Sequence, residues 1–194
     1  DLMVIINIPA MELTVHQRQS PGVYRVILVS RVVVGLPNKR TPMDSFELVS
    51  LKYNPNWTPT PSMLRDNVYK GGGFNAAWLK KKGVQAIDKN GKRVNFSDIE
   101  NPRQYRYSQP AGARNALGQL KFETTSGQNI YLHDTNEPNL YKHNVRAYSS
   151  GCVRVEDYLG LASILSGLTD DEIVKKIDVP KTYFEKIPTR VPVY

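Results

Sequence analysis

The sequence predicts a mainly β fold with flanking helices, of the α+β class. Three observations carry the expectation. Alternating or β-branched apolar runs fill residues 2–53 and return after Tyr107. Helical 3–4 spacing is strong only near the C-terminus. Between them, residues 54–106 show little periodicity and hold Pro55, Pro59, Pro61 and the Gly71-Gly72-Gly73 run.

Residues 2–8 form a buried-type apolar run closed by Pro9, and residues 11–16 alternate as a half-buried strand does. After the Ser20-Pro21-Gly22 turn, residues 23–34 are rich in β-branched side chains. Phe46 to Tyr53 alternates again. Weak helical patches fall at 62–68 and 76–81. Short strands are expected at 120–123 and 130–133. Tyr158, Leu161, Ala162 and Leu165 share one face of a helix expected over 156–165. Thr169 and Glu172 form a capping box opening a helix to about Ile177. The last residues, 189–194, read as a strand.

The chain has 194 residues, a length for one domain with an insertion. No apolar run approaches the roughly 20 residues of a membrane span. The first residues lack the basic region of a signal peptide, and both ends read as cut from a longer protein. Net charge is +8, and residues 60–106 hold ten Lys/Arg against four Asp/Glu. Such a surface is either a solvated basic face or suits an anionic partner. Nucleic acid is not expected, because no nucleic-acid module surrounds Lys80, Lys81 and Lys82. One cysteine excludes an internal disulfide and a multi-cysteine zinc site. His16 and His143 lack the paired acidic or cysteine neighbours that a metal site needs.

Two segments suggest chemistry: a strand ending in His133, and Ser149-Ser150-Gly151-Cys152-Val153-Arg154, a small-residue turn expected to present Cys152 just ahead of a helix. Acyl transfer needs a thiolate, and a free thiol near pKa ~8.5 is mostly protonated at neutral pH. An imidazole can take that proton and return it to a leaving amine. Small residues let backbone N–H groups approach a developing oxyanion. Arg154 would offset a substrate carboxylate or hold the turn through backbone carbonyls.

The paired segments resemble the signature of the L,D-transpeptidase family, the YkuD-type catalytic domain. Leu132-His133-Asp134-Thr135 matches its first half and Ser149 to Arg154 its second. Residues 5–13 and 110–118 look like the family's first hairpin and the loop before its catalytic strands. The resemblance implies a β-sandwich or barrel-like catalytic domain over residues 1–194, with 54–106 as an inserted, substrate-capping subdomain. The family's common second His is Ser150 here. With the long insert, that looks like the large Gram-negative periplasmic branch similar to YcbB.

The resemblance implies Cys152 as nucleophile, His133 as base, and the Asp134 backbone carbonyl as the group orienting the imidazole. It assigns the oxyanion hole to the Gly151 and Cys152 N–H groups. It implies peptidoglycan tetrapeptide stems as substrates, a 3-3 cross-link as product, no metal or organic cofactor, carbapenems as covalent inhibitors and a periplasmic location. Substrate contacts are expected from Tyr131, Ser149, Ser150, Arg154, Asn115 and Trp57. Packing competes as the role of Tyr131, and of Trp57 with Trp78. Arg114 shares the Asn115 loop, and His143 and His16 read as surface. Rival readings are a hydrolase or carboxypeptidase with the same dyad, a non-catalytic wall-binding module, and a basic nucleic-acid binder.

Overall fold

A computed structural model describes residues 1–194. In chain order the elements are β1 (Leu2–Asn7), β2 (Glu12–Ser20), β3 (Val23–Gly35), β4 (Phe46–Tyr53), α1 (Pro61–Asn67), α2 (Ala76–Lys81), β5 (Gln85–Ile87), β6 (Arg93–Val94) and β7 (Arg106–Ser108). Then come β8 (Leu120–Thr124), β9 (Leu132–His133), β10 (Ala147–Ser149), β11 (Val153–Val155), α3 (Tyr158–Ser166), α4 (Asp170–Ile177) and β12 (Tyr183–Val193). They divide into two compact units, residues 1–55 with 116–194, and residues 56–115.

The first unit is built on one sheet in the order β10-β3-β11-β9-β8-β4-β12-β1-β2. β2 also pairs with β3, so the sheet closes into a ring with β10 attached at the far end of β3. The long β3 permits this: its first part pairs with β2, and Val32 and Val33 then pair with β11. Closure removes the unpaired edges that an open sheet of this size would present. Inward positions of successive strands, such as Val4, Leu48, Phe122, Leu132 and Val153, are fully buried in one core.

Both helices bury their apolar faces in that core. Leu161, Ala162 and Leu165 come from α3, and Ile173 and Ile177 from α4. α3 starts at Tyr158 and not at residue 156, because the Asp157 carboxylate caps it by accepting from Gly160 N–H at 2.9 Å. Gly167, at φ 76°, ends it. The Thr169–Glu172 capping box opens α4, as its spacing predicts. Cys152 is followed by strand β11 and not by a helix. The Val-Arg-Val alternation buries both valines and pairs with β3 and β9, completing the ring. No helix is long and apolar enough to cross a membrane.

The second unit spans 56–115, shifted from the 54–106 read in the sequence. Asn54 belongs to the first unit, where its amide donates to the carbonyls of Ile177 and Val179. Residues 107–115 belong to the second. Gln109 exchanges two backbone hydrogen bonds with Trp57, and its side chain donates to the carbonyls of Lys82 and Arg114. This segment is more than a loop. α1 and α2, capped by Thr60 and Asn75, join a three-stranded sheet, β6-β5-β7, around Val68, Leu79, Val84, Ala86 and Tyr107.

Candidate active site

Strand pairing sets the site. β11 runs parallel to β9 with Arg154 opposite His133, and β8 runs antiparallel to β9 with Lys121 opposite His133. Paired residues point to the same face of a sheet. Lys121, His133 and Arg154 therefore form one row. Tyr131 and Cys152, each two positions earlier and just ahead of the strand, extend that face. One strand spacing across and two residues along put the Cα atoms of Cys152 and His133 roughly 8 Å apart. At that diagonal separation the two side chains are neighbours on the same face.

His133 is buried, and its Nδ1 donates to the Asp134 carbonyl at 2.5 Å. A carbonyl only accepts, so Nδ1 carries the proton and Nε2 keeps its lone pair. Burial, with the charge of Arg154 behind it, pushes the imidazole down to about 3, against the pull of the Asp134 carbonyl. Asp134 is itself fixed: its N–H donates to the Leu120 carbonyl, and its carboxylate accepts from Gln119 N–H at 2.9 Å. Burial raises its carboxyl above the usual range. Gly118, at φ 64°, makes this packing possible, since a Cβ there would lie 2.2 Å from Asp134 Oδ2.

The turn before Cys152 is held from within. The Ser149 hydroxyl donates to the Cys152 carbonyl at 2.6 Å and accepts from Gly151 N–H at 3.0 Å. Thr41 Oγ1 donates to the Gly151 carbonyl at 2.8 Å and accepts from Gly35 N–H at 2.9 Å. Gly151 has φ 120°, open to glycine and strained for other residues. Cys152 itself is only half-buried, so the thiol is reachable. Its Sγ is 3.9 Å from the Asn129 carbonyl. Burial lifts the thiol above its ordinary value, opposed by the Tyr131 N–H and by the charges of Lys121 and Arg154.

Several expected contacts are placed otherwise. Gly151 N–H, expected to face an oxyanion, is held by Ser149, because the hydroxyl folds back into the turn. Ser149 is buried and engaged twice, and so is not presented to a substrate. Arg154 pairs with Glu137 at 2.7 Å and reaches Thr135 Oγ1, where it neither bonds backbone carbonyls nor stands unpaired. Asn115 is buried in the second unit, its amide donating to the Pro110 carbonyl at 2.9 Å, which fixes its own loop. Trp57 packs on that unit's core with its ring 6.4 Å from Trp78.

Tyr131 lies half-buried beneath the Lys121 ammonium, while Ser150 and Arg114 are exposed. His143 is exposed beside Tyr148, and His16 bonds Thr14. No three His, Cys, Asp or Glu side chains are grouped to hold a metal ion. Thr41, Lys121 and Glu137 were not singled out from the sequence. Only Lys121 leaves a local trace there, as the polar position between buried Leu120 and Phe122.

The family model for the YkuD L,D-transpeptidase catalytic domain matches residues 1–193. A Haemophilus influenzae protein named "Putative L,D-transpeptidase" is 33% identical over 167 residues, covering 84% of this chain and 33% of that protein. The chain thus spans about a third of that relative's length. An L,D-transpeptidase structure from Mycobacterium smegmatis aligns at TM-score 0.39 and 13% identity, over 100% of this chain and 58% of that one. The LD transpeptidase LdtMt1 in complex with imipenem aligns at TM-score 0.40 and 14% identity, with the same coverage.

Proposed function

From the premise that the chain belongs to the YkuD family of L,D-transpeptidase catalytic domains, we propose that it forms 3-3 cross-links in peptidoglycan through a Cys152 acyl-enzyme. The carrying observation is the shared sheet face of Cys152 and His133, with Nδ1 committed to the Asp134 carbonyl and Nε2 left basic. Loss of solvent raises the thiol and lowers the imidazole, so both rest neutral. Proton transfer from Sγ to Nε2 then accompanies attack on the donor carbonyl and does not precede it.

The donor is a tetrapeptide stem, and the bond attacked joins its third residue, a diaminopimelate, to D-Ala. As Sγ bonds the carbonyl carbon, negative charge collects on oxygen. Cys152 N–H is the available donor, and Gly151 N–H would join it by leaving Ser149. Each such donor is worth about 10²–10³-fold in rate. Collapse breaks the C–N bond, and the imidazolium gives its proton to the departing D-Ala amine. The side-chain amine of an acceptor's diaminopimelate then loses a proton to His133 and attacks the thioester. A new amide forms and the thiol regains its proton. We place this chemistry in the periplasm, on the strength of the substrate.

Carbapenems would acylate the same sulfur by opening their lactam C–N bond. The Ser150 position and the 56–115 unit support a YcbB-like branch. Mass spectrometry of products from purified disaccharide-tetrapeptide tests the proposal. Cross-linked dimers with D-Ala release support it. Tripeptides alone would make the protein a hydrolase, and no product would favour a wall-binding module. Intact-mass analysis with meropenem should show an adduct of the whole inhibitor, absent from Cys152→Ala. An adduct on that variant would remove Cys152 as nucleophile.

A further inference from the structure

Lys121 is an unusual lysine. It sits on the sheet face that carries His133 and Cys152, opposite His133 in the β8–β9 register, with its side chain only 12% exposed. Lysine on a sheet face ordinarily carries its ammonium into water. Here the ammonium is retained. It pairs with Glu123 Oε1 at 2.9 Å and lies 3.4 Å from the centroid of the Tyr131 ring. A largely buried ion pair alone adds little stability, so its contribution to folding does not explain this arrangement.

We infer that Lys121 is a positioning residue for acyl transfer: clamped between Glu123 and Tyr131, it fixes that ring across from Cys152 and holds one positive charge beside the reacting sulfur. This rests on the acyl-transfer reading of the site. The cation–π contact sets the Tyr131 side chain, and the Tyr131 backbone N–H faces the thiol. Fixing the ring therefore also steadies a group that bears on the sulfur.

The charge acts in one direction on both members of the dyad. It favours a negative sulfur and disfavours a protonated imidazole. Negative charge building on sulfur and then on the carbonyl oxygen is stabilised. The imidazolium becomes a stronger acid, readier to protonate the leaving amine.

Other charges facing this group are accounted for. Lys52, the cross-strand neighbour of Lys121 on β4, lies over the Phe184 ring, 4.9 Å from its centroid. Glu123 offsets part of the Lys121 field. On the far side of His133, Arg154 is matched by Glu137. Tyr131, His133 and Cys152 are the other titratable groups on the face itself.

The test compares the full chain as wild type, Lys121→Met and Lys121→Arg. Iodoacetamide alkylation of Cys152 against pH reads thiol ionisation whether or not the protein is a transpeptidase. Lys121→Met should raise the midpoint by about half a unit or more, and Lys121→Arg should stay near wild type. Meropenem acylation should slow about tenfold or more in Lys121→Met, with arginine restoring most of the rate. Lys121→Gln replaces the methionine variant if that protein does not fold. An unmoved midpoint and unchanged acylation in a folded, uncharged variant would overturn the inference. Normal alkylation with no meropenem adduct on wild type would instead overturn the acyl-transfer reading, and the alkylation midpoints would still decide the role of Lys121.

Discussion

Acid should unfold the first unit through His133, by an amount that can be isolated. The imidazole is held at about 3 in the folded state, against an ordinary 6.5 in an unfolded chain. Between those values the unfolded chain binds a proton that the folded chain refuses, so stability falls as pH falls. The contribution is complete above pH 6.5 and is lost progressively toward pH 3. Each unit is worth about 1.36 kcal/mol, which sets a ceiling of roughly 5 kcal/mol over the whole interval. At pH 4.5, two units into the window, about 3 kcal/mol should be gone. That is a large part of the 5–15 kcal/mol of a typical domain. Urea unfolding at pH 7.5 and 4.5 measures it on wild type and His133→Gln. Carboxylates, the raised Asp134 among them, act in both proteins and largely cancel in the difference. Wild type should lose about 3 kcal/mol more than His133→Gln. Parallel losses would refute the claim that a neutral imidazole is sealed in the fold. Meropenem acylation should likewise stay flat between pH 5 and 8, since neither resting group changes protonation there. A limb near pH 6.5 would count against the same reasoning.

Three substitutions probe the supports of the dyad. Gly118→Ala drives a Cβ to 2.2 Å from Asp134 Oδ2 at a backbone angle that costs other residues about 1–2 kcal/mol. It should lower the urea midpoint and slow acylation together, and loss of one without the other would separate Asp134 from His133. Ser149→Ala leaves Gly151 N–H and the Cys152 carbonyl without their shared partner, so about 2 kcal/mol should be lost on urea unfolding. Thr41→Val keeps the side chain's shape but strands Gly35 N–H and the Gly151 carbonyl, and should cost about 3 kcal/mol, read as a lowered Tm. An unchanged Tm would mean that water or a shifted turn replaces the hydroxyl.

What could be read along the sequence was whatever a single element encodes by itself. The alternation from Phe46 to Tyr53 marks β4 to the residue, and Thr169 with Glu172 marks α4, because both signals repeat or close within a few positions. The strands of the second unit hold two or three residues, too few for a period to show. The strand after Cys152, where the sequence predicts a helix, carries no signal of its own because Val-Arg-Val takes its conformation from β3 and β9, far away in the chain. The candidate site divides in the same way. Cys152 and His133 stand out by residue type and spacing. Thr41 meets Gly151 across 110 residues, and only the fold makes that contact visible. Ser149 stands out by residue type but its partners do not, since a hydroxyl inside a turn can satisfy its own backbone before any ligand arrives.

Reach between sulfur and imidazole is a property of strand register, and the closed ring protects it. Sliding β11 by one residue against β9 would turn Cys152 toward the core and bring Val153 to the cleft, since side chains alternate faces. β9 has only two residues and little pairing of its own to resist that slip. Its position is fixed from outside: Asp134 N–H to the Leu120 carbonyl on one side, Val153 N–H to the Tyr131 carbonyl on the other. β11 is pinned in turn by Val33 and Val32 of β3. Because the ring closes through β2 and β3, a shift at β9 must be absorbed by every strand around it. The core that buries Leu132 and Val153 and the face that carries His133 and Cys152 are therefore opposite sides of one constraint. A cavity cut at Leu132 should loosen the dyad as well as the fold, and iodoacetamide reactivity of Cys152 in Leu132→Ala would show it: an unchanged alkylation rate in a destabilised protein would mean that the register holds without the packing behind it.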